Sequence, residues 1–157
     1  MAKGPEIKLK EGDSAPTFNA TTSGGGQVSL ADFKGQQVIL YFYPRDNTPG
    51  CTKEACGFRD LHQKVKRKGA VVLGVSKDSV KSHDKFVEKF DLPFLLLADE
   101  DAAIAKAYGV WGQKTFMGRK FMGMHRVTFL IDEKGRIKKV WPEVKLEAHA
   151  AEVLAAL

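Results

Sequence analysis

Between Gln37 and Lys68 the chain passes from strand to turn to helix within a few residues, and this limits the folds open to it. Gln37-Val38-Ile39-Leu40-Tyr41-Phe42-Tyr43 is apolar, β-branched and aromatic, the composition of a buried strand. Pro44 to Gly50 contains two prolines, an aspartate, an asparagine and a glycine, which is turn chemistry. Thr52 to Lys68 is rich in helix formers, with Ala55, Phe58, Leu61 and Val65 three or four residues apart. Cys51 therefore falls where a strand gives way to a helix. Free backbone N–H groups and the positive end of the helix dipole favour a thiolate there.

A second cysteine, Cys56, follows five residues later. On an ideal helix that spacing is about 7.5 Å along the axis, with the two side chains pointing in different directions. A disulfide needs Cα atoms roughly 4.4–6.8 Å apart. The pair cannot bond while both residues stay helical. Any redox cycle between them requires the first helical turns to unwind.

The remaining pattern extends the alternation. Thr17–Ala20 and Gln27–Leu30 suit a short hairpin around a Ser/Thr/Gly loop, and Leu30–Gly35 suits one helical turn. Gly69 stops the long helix, and Ala70–Ser76 is a near-continuous apolar run of the kind found in central parallel strands. Ser79–Phe90 reads as an amphipathic helix with Val80, Phe86, Val87 and Phe90 inward. Leu92–Ala98 reads as extended, and Asp101–Tyr108 as a short helix capped by Asp99 or Asp101. Trp111–Gly123, with three glycines, several charges and three aromatics, is expected to be an irregular surface excursion. Val127–Asp132 and Ile137–Trp141 form a hairpin around Glu133–Arg136, and Leu146–Leu157 a closing helix. Strand–helix alternation followed by a hairpin and helix implies an α/β fold, a mixed sheet with helices on its faces.

Length and composition exclude several classes. At 157 residues the chain suits a single domain, 1–157, that needs no disulfide staple, with residues 1–9 flexible or peripheral. No apolar run is long enough to span a bilayer, and the first residues lack the apolar core of a secretory signal. The expectation is a cytoplasmic protein, where a close cysteine pair is catalytic or metal-binding rather than structural. The net charge of +6 is spread along the chain, and its densest cluster, Lys64–Lys68, closes a helix, so neither nucleic acid nor membrane is an expected partner. A Cys-x4-Cys pair with only His62 nearby is a poor start for zinc, which needs about four ligands.

The run Phe42-Tyr43-Pro44-Arg45-Asp46-Asn47-Thr48-Pro49-Gly50-Cys51-Thr52-Lys53-Glu54-Ala55-Cys56 resembles the active-site segment of the peroxiredoxins. It is most similar to the bacterioferritin-comigratory-protein, or peroxiredoxin Q, subfamily. The family pattern Pro-x-x-x-Thr-x-x-Cys falls on Pro44, Thr48 and Cys51. The subfamily's resolving cysteine falls on Cys56, and its active-site arginine on Arg126 in His125-Arg126-Val127-Thr128-Phe129, with Arg119 as the fallback. The resemblance implies a thioredoxin-like fold with an N-terminal hairpin extension and a thiol peroxidase without metal, haem or flavin. In that scheme Cys51 attacks hydrogen peroxide or an organic hydroperoxide. Cys56 resolves the sulfenic acid to an intramolecular disulfide, and a thioredoxin-type dithiol restores the monomeric enzyme. Arg126 polarises the peroxide, Thr48 hydrogen-bonds to the sulfur or the peroxide, and Pro44 shields the thiolate.

Other readings keep their place beside this one. Two anonymous cysteines are commonly inert, Thr48 alone would be a helix cap, Pro44 a strand terminator and Arg126 a surface charge. Glu54 is equally suited to orienting an arginine or to serving the helix dipole. His62, His83, His125 and His149 have no spacing that demands chemistry. Trp111, Phe116 and Phe121 suit loop packing better than a pocket rim or a docking patch. A thiol–disulfide oxidoreductase of the same fold would be expected to carry Cys-x-x-Cys, absent here. A redox-switch binding protein would need a partner motif, and none is evident.

Overall fold

The computed structural model of the chain describes residues 7–157. Ile7 and Leu9 pack against the core, and the rest of the expected loose N-terminus, residues 1–6, lies outside the described residues. The first hairpin is β1 (Asn19–Thr22) with β2 (Gln27–Ser29), followed by a 3₁₀ turn at Leu30–Phe33. Then come β3 (Gln37–Phe42), α1 (Pro49–Asp60), α2 (His62–Arg67), β4 (Ala70–Ser76), α3 (Val80–Phe90) and β5 (Leu95–Ala98). The chain ends with α4 (Ala103–Ala107), β6 (Trp111–Phe116), β7 (Arg119–Met124), β8 (Val127–Ile131), β9 (Ile137–Trp141) and α5 (His149–Ala156).

Seven strands form one mixed sheet in the order β2-β1-β5-β4-β3-β8-β9. β3, β4 and β5 run parallel, and the flanking hairpins add antiparallel neighbours. All six residues of β3 are buried, as its unbroken apolar run requires of a central strand. Its side chains alternate between two cores. Val38, Leu40 and Phe42 face a cluster holding Leu30, Ile104 and Ala105, while Ile39, Tyr41 and Tyr43 face one holding Cys51, Phe58, Phe86 and Val153. Thus α1, α3 and α5 share one face and α4 covers the other. On β4, Gly74 makes room for the Tyr41 ring, since a Cβ there would lie 2.8 Å from the Tyr41 Cζ.

Three expectations change. The helix expected over Thr52–Lys68 begins three residues earlier and breaks at Leu61, whose φ of −100° and ψ of 6° leave the helical region. No residue there forbids a helix, so the break had no local signal. In α3, His83 is fully buried with Phe86, whereas Val80, Val87 and Phe90 are only partly covered. The third change is the largest. Trp111–Gly123 is a regular antiparallel hairpin, β6 with β7, paired from Trp111↔Met124 to Phe116↔Arg119. Its two-residue turn has positive φ at Met117 and Gly118, a geometry that Asn-Gly or Asp-Gly would have announced and Met-Gly does not.

Candidate active site

The register of β3 against β8 brings the ends of the site together. Phe42, the last residue of β3, lies opposite Val127, the first of β8. Arg126 therefore stands beside the point where the chain leaves β3 for the Pro44–Thr48 loop, although it is 75 residues from Cys51 in sequence. Thr48 is the N-cap of α1, Pro49 its first residue, and Cys51 lies in its first turn. The first intrahelical bond runs from the Thr52 N–H to the Thr48 carbonyl, so the Gly50 and Cys51 N–H groups have no acceptor within the helix. Pro at the first position removes a donor that would otherwise be spare.

Arg126 Nη2 donates to the Cys51 Sγ at 3.1 Å, and Nη1 donates to Glu54 Oε1 at 2.7 Å. Glu54 lies one turn beyond Cys51, so both present themselves to one guanidinium. Cys51 is 1% exposed, and the Glu54 side chain is fully buried. Gly50 is what admits the arginine: a Cβ there would come within 3.2 Å of both Arg126 Nη2 and Leu146 Cδ1. Burial pulls the guanidinium's pKa down, but the facing Glu54 and Cys51 anions outweigh it and leave Arg126 above its ordinary value.

Of the residues expected at the site, Cys51 and Arg126 are in contact. Thr48 gives its hydroxyl proton to the Arg45 carbonyl at 3.0 Å and makes no capping bond. Pro44, half-buried, lies just beyond the end of β3. Cys56 is partly buried in the same unbroken helix, and both cysteines are free thiols. Arg119 is exposed on β7, so the fallback is not needed. Glu54 resolves in favour of the arginine rather than the dipole.

Two histidines have structural company that no sequence spacing announced. The His83 Nδ1 lies 2.7 Å from Asp46 Oδ2, and its Nε2 lies 2.9 Å from the Leu97 carbonyl. Asp46 also accepts from the Tyr43 hydroxyl at 2.5 Å and the Ser82 hydroxyl at 2.8 Å, and its N–H donates to Asp78. This buried network fixes the loop that carries Pro44 and Thr48. The His149 Nε2 lies 2.7 Å from Thr128 Oγ1 and 4.0 Å from Glu54 Oε2. Glu54 Oε2 and His149 Nδ1 are buried without a hydrogen-bond partner.

The AhpC/TSA family profile matches residues 11–140, and peroxiredoxin Bcp of Bacillus subtilis is 49% identical over 151 residues, covering 96% of each chain. The chain is a peroxiredoxin of the AhpC/TSA family. A PrxQ mutant from Xylella fastidiosa superposes with a TM-score of 0.90 at 40% identity over 96% of both chains. Xanthomonas campestris bacterioferritin comigratory protein, studied for its alkyl peroxide reduction activity, superposes at 0.87 with 39% identity over 96% of both. The fold is accordingly thioredoxin-like, and the protein is a thiol-dependent peroxidase. None of the described helices is long and apolar enough to cross a membrane.

In this peroxiredoxin, burial pushes the Glu54 carboxyl from 4.5 up to about 7 against the pull of Arg126, and burial pushes His149 from 6.5 down to about 4. Glu54 thus stabilises the fold fully below pH 4.5 and progressively less as pH rises to about 7. His149 has the opposite sign: its contribution is full above pH 6.5 and is lost as pH falls toward 4. Between 4.5 and 6.5 the folded pair keeps its one proton on Glu54, while the unfolded pair keeps it on His149. The slopes cancel there. Relative to the unsubstituted protein, we expect Glu54→Gln to make stability rise with pH across this window and His149→Gln to make it fall, each by up to about 3 kcal/mol. Urea unfolding midpoints at steps across the window check this, and profiles of both variants parallel to that of the unsubstituted protein would refute it.

Proposed function

We propose that Cys51 is the nucleophile of this peroxidase, and that the contact of Arg126 with its sulfur is the observation that carries the assignment. The Cys51 thiolate attacks the nearer peroxide oxygen. An S–O bond forms, the O–O bond breaks, and the leaving oxygen takes a proton to depart as water or an alcohol. Arg126, whose charge persists at any working pH, stabilises both the thiolate and the negative charge moving onto the leaving oxygen. With its own proton committed to the Arg45 carbonyl, the Thr48 oxygen offers lone pairs to a peroxide O–H. The Gly50 and Cys51 N–H groups supply donors, and Pro44 keeps water from the sulfur.

The Cys56 thiol then condenses with the Cys51 sulfenic acid, forming the disulfide and releasing water. That step requires α1 to unwind, because both cysteines lie within one helix. A thioredoxin-type dithiol reduces the disulfide and lets the helix re-form. Hydrogen peroxide and organic hydroperoxides are the substrate class, in keeping with the alkyl peroxide activity of the Xanthomonas relative. A monomer suffices, since every group named comes from one chain.

Cys56→Ser tests the cycle. The variant should consume one equivalent of peroxide, stop at a sulfenic acid that dimedone traps, and lose turnover in an NADPH assay coupled through thioredoxin and its reductase. In the unsubstituted protein, oxidation should raise amide exchange across Thr52 to Phe58. Undiminished turnover by Cys56→Ser, or equal exchange in both redox forms, would remove Cys56 from the mechanism.

A further inference from the structure

Four of the five large apolar side chains exposed among the described residues belong to the β6–β7 hairpin: Phe116 at 67%, Met117 at 87%, Phe121 at 47% and Met122 at 57%. They are interleaved with cations. Phe116 pairs across the strands with Arg119, and Phe121 with Lys114, so each aromatic shares a face with a basic residue. From Trp111 to Arg126 the sequence holds Lys114, Arg119, Lys120 and Arg126 and no acidic residue. This corrects the expectation that Phe116 and Phe121 pack within a loop. Trp111, at the hairpin root, is partly covered by Lys77, whose Nζ lies 5.0 Å from the ring centroid.

The hairpin is joined to the reacting sulfur. β7 runs through His125 directly into Arg126, which touches Cys51. Lys114 Nζ donates to the Met124 carbonyl at 3.0 Å, and burial together with the Arg126 charge holds its pKa below the usual lysine range. At the tip, Met117 takes a φ of 51°, a left-handed conformation that strains a side-chain-bearing residue and that asparagine or glycine adopts more readily. An exposed apolar residue in a strained turn is poorly explained by folding.

We propose that this hairpin is the docking surface for the protein dithiol that reduces the Cys51–Cys56 disulfide, a partner with an apolar face ringed by acidic residues. The assignment rests on the proposed disulfide cycle and specifies where its reductant binds. A second copy is a poor occupant, because a symmetric contact would set basic hairpin against basic hairpin. Methionines suit a surface that meets the partner while α1 is changing shape. In the reaction, a partner thiolate attacks one sulfur of the disulfide and frees the other cysteine. The second partner thiol then closes on the first, so two electrons and two protons pass to this chain and the partner leaves as a disulfide.

The test compares reduction of the oxidised protein by a bacterial thioredoxin and by dithiothreitol. Phe116→Thr with Met117→Asn removes the apolar tip yet suits a strand and a positive-φ turn, so the hairpin should hold. Arg119→Glu with Lys120→Glu reverses the charge. Each double variant should lower the second-order rate with thioredoxin about tenfold or more. The charge variant should also flatten its salt dependence, and both should leave the dithiothreitol rate and single-turnover peroxide reduction unchanged. Unchanged thioredoxin rates in both variants would overturn the docking surface alone. Equal slowing with dithiothreitol would overturn it by showing that the hairpin acts on the site itself. Failure of thioredoxin to reduce the unsubstituted protein, where dithiothreitol succeeds, would overturn the reductant reading and this one with it. Intact thioredoxin rates with lost co-sedimentation on phosphatidylglycerol vesicles would reassign the hairpin to a lipid surface.

Discussion

Cys51→Ser is expected to abolish peroxide reduction while leaving the fold intact. Serine nearly matches the buried cysteine in volume, and its hydroxyl can accept the bond from Arg126 that the sulfur now accepts at 3.1 Å. Glu54 keeps its own bond to Arg126, so no buried charge is left alone. Unfolding stability should therefore change by less than about 1 kcal/mol. A hydroxyl in this position has none of the thiolate's reactivity toward a peroxide oxygen. Turnover above a few per cent of the unsubstituted rate, measured by NADPH oxidation coupled through thioredoxin and its reductase, would sink the assignment of the nucleophile.

Arg126→Ala should act twice, and the two effects separate. Attack on peroxide should slow by about a hundredfold, equivalent to about 2.7 kcal/mol, because the donor to the sulfur and to the leaving oxygen is gone. Alkylation of Cys51 at neutral pH should slow with it, since the sulfur loses its guanidinium partner. The second effect falls on Glu54, whose side chain is fully buried and would lose its one partnered oxygen. Leaving such a carboxylate unpaired costs about 3–5 kcal/mol, a cost the protein can escape by protonating it. The stability deficit should therefore be small below about pH 7, where Glu54 is already protonated with the arginine in place, and should grow as pH rises above it. Adding Glu54→Gln to Arg126→Ala should restore stability at high pH without restoring the rate. If rate and stability recovered together, Arg126 would be acting only through the fold.

The contrast between what could and could not be read beforehand follows from range. The β3 strand and the start of α1 are written locally, in an apolar run, a proline-rich turn and a helix-forming stretch, and the structure follows them to within a few residues. Arg126 carries no such mark. It reaches Cys51 only because Phe42 pairs with Val127 across the sheet, so resemblance to a family identified it where spacing could not. Glu54 was ambiguous for the same reason. The partners of His83 and His149 lie 37 and 21 residues away and were invisible to pattern. The β6–β7 hairpin was missed because its turn uses Met117 where asparagine would be expected, and its strands mix glycines and charges with aromatics. A signal did exist: two six-residue spans without proline or an acidic residue flank Met117-Gly118.

The contact between α1 and α5 gives the last helix a dependence on the first. A Cβ on Gly57 would lie 3.4 Å from the Ala150 Cβ, and the Phe58 ring meets His149 edge-on with centroids 5.7 Å apart. Unwinding α1 far enough to join two sulfurs removes the floor on which α5 rests. The oxidised molecule would then present Ala150 and Leu154, now partly sheltered, to solvent, and its final residues would be the first that a protease could enter. In the proposed cycle, the time spent as a disulfide becomes a time of exposure. A cell slow to return electrons to this chain would have in its C-terminus a clock that starts with each peroxide consumed.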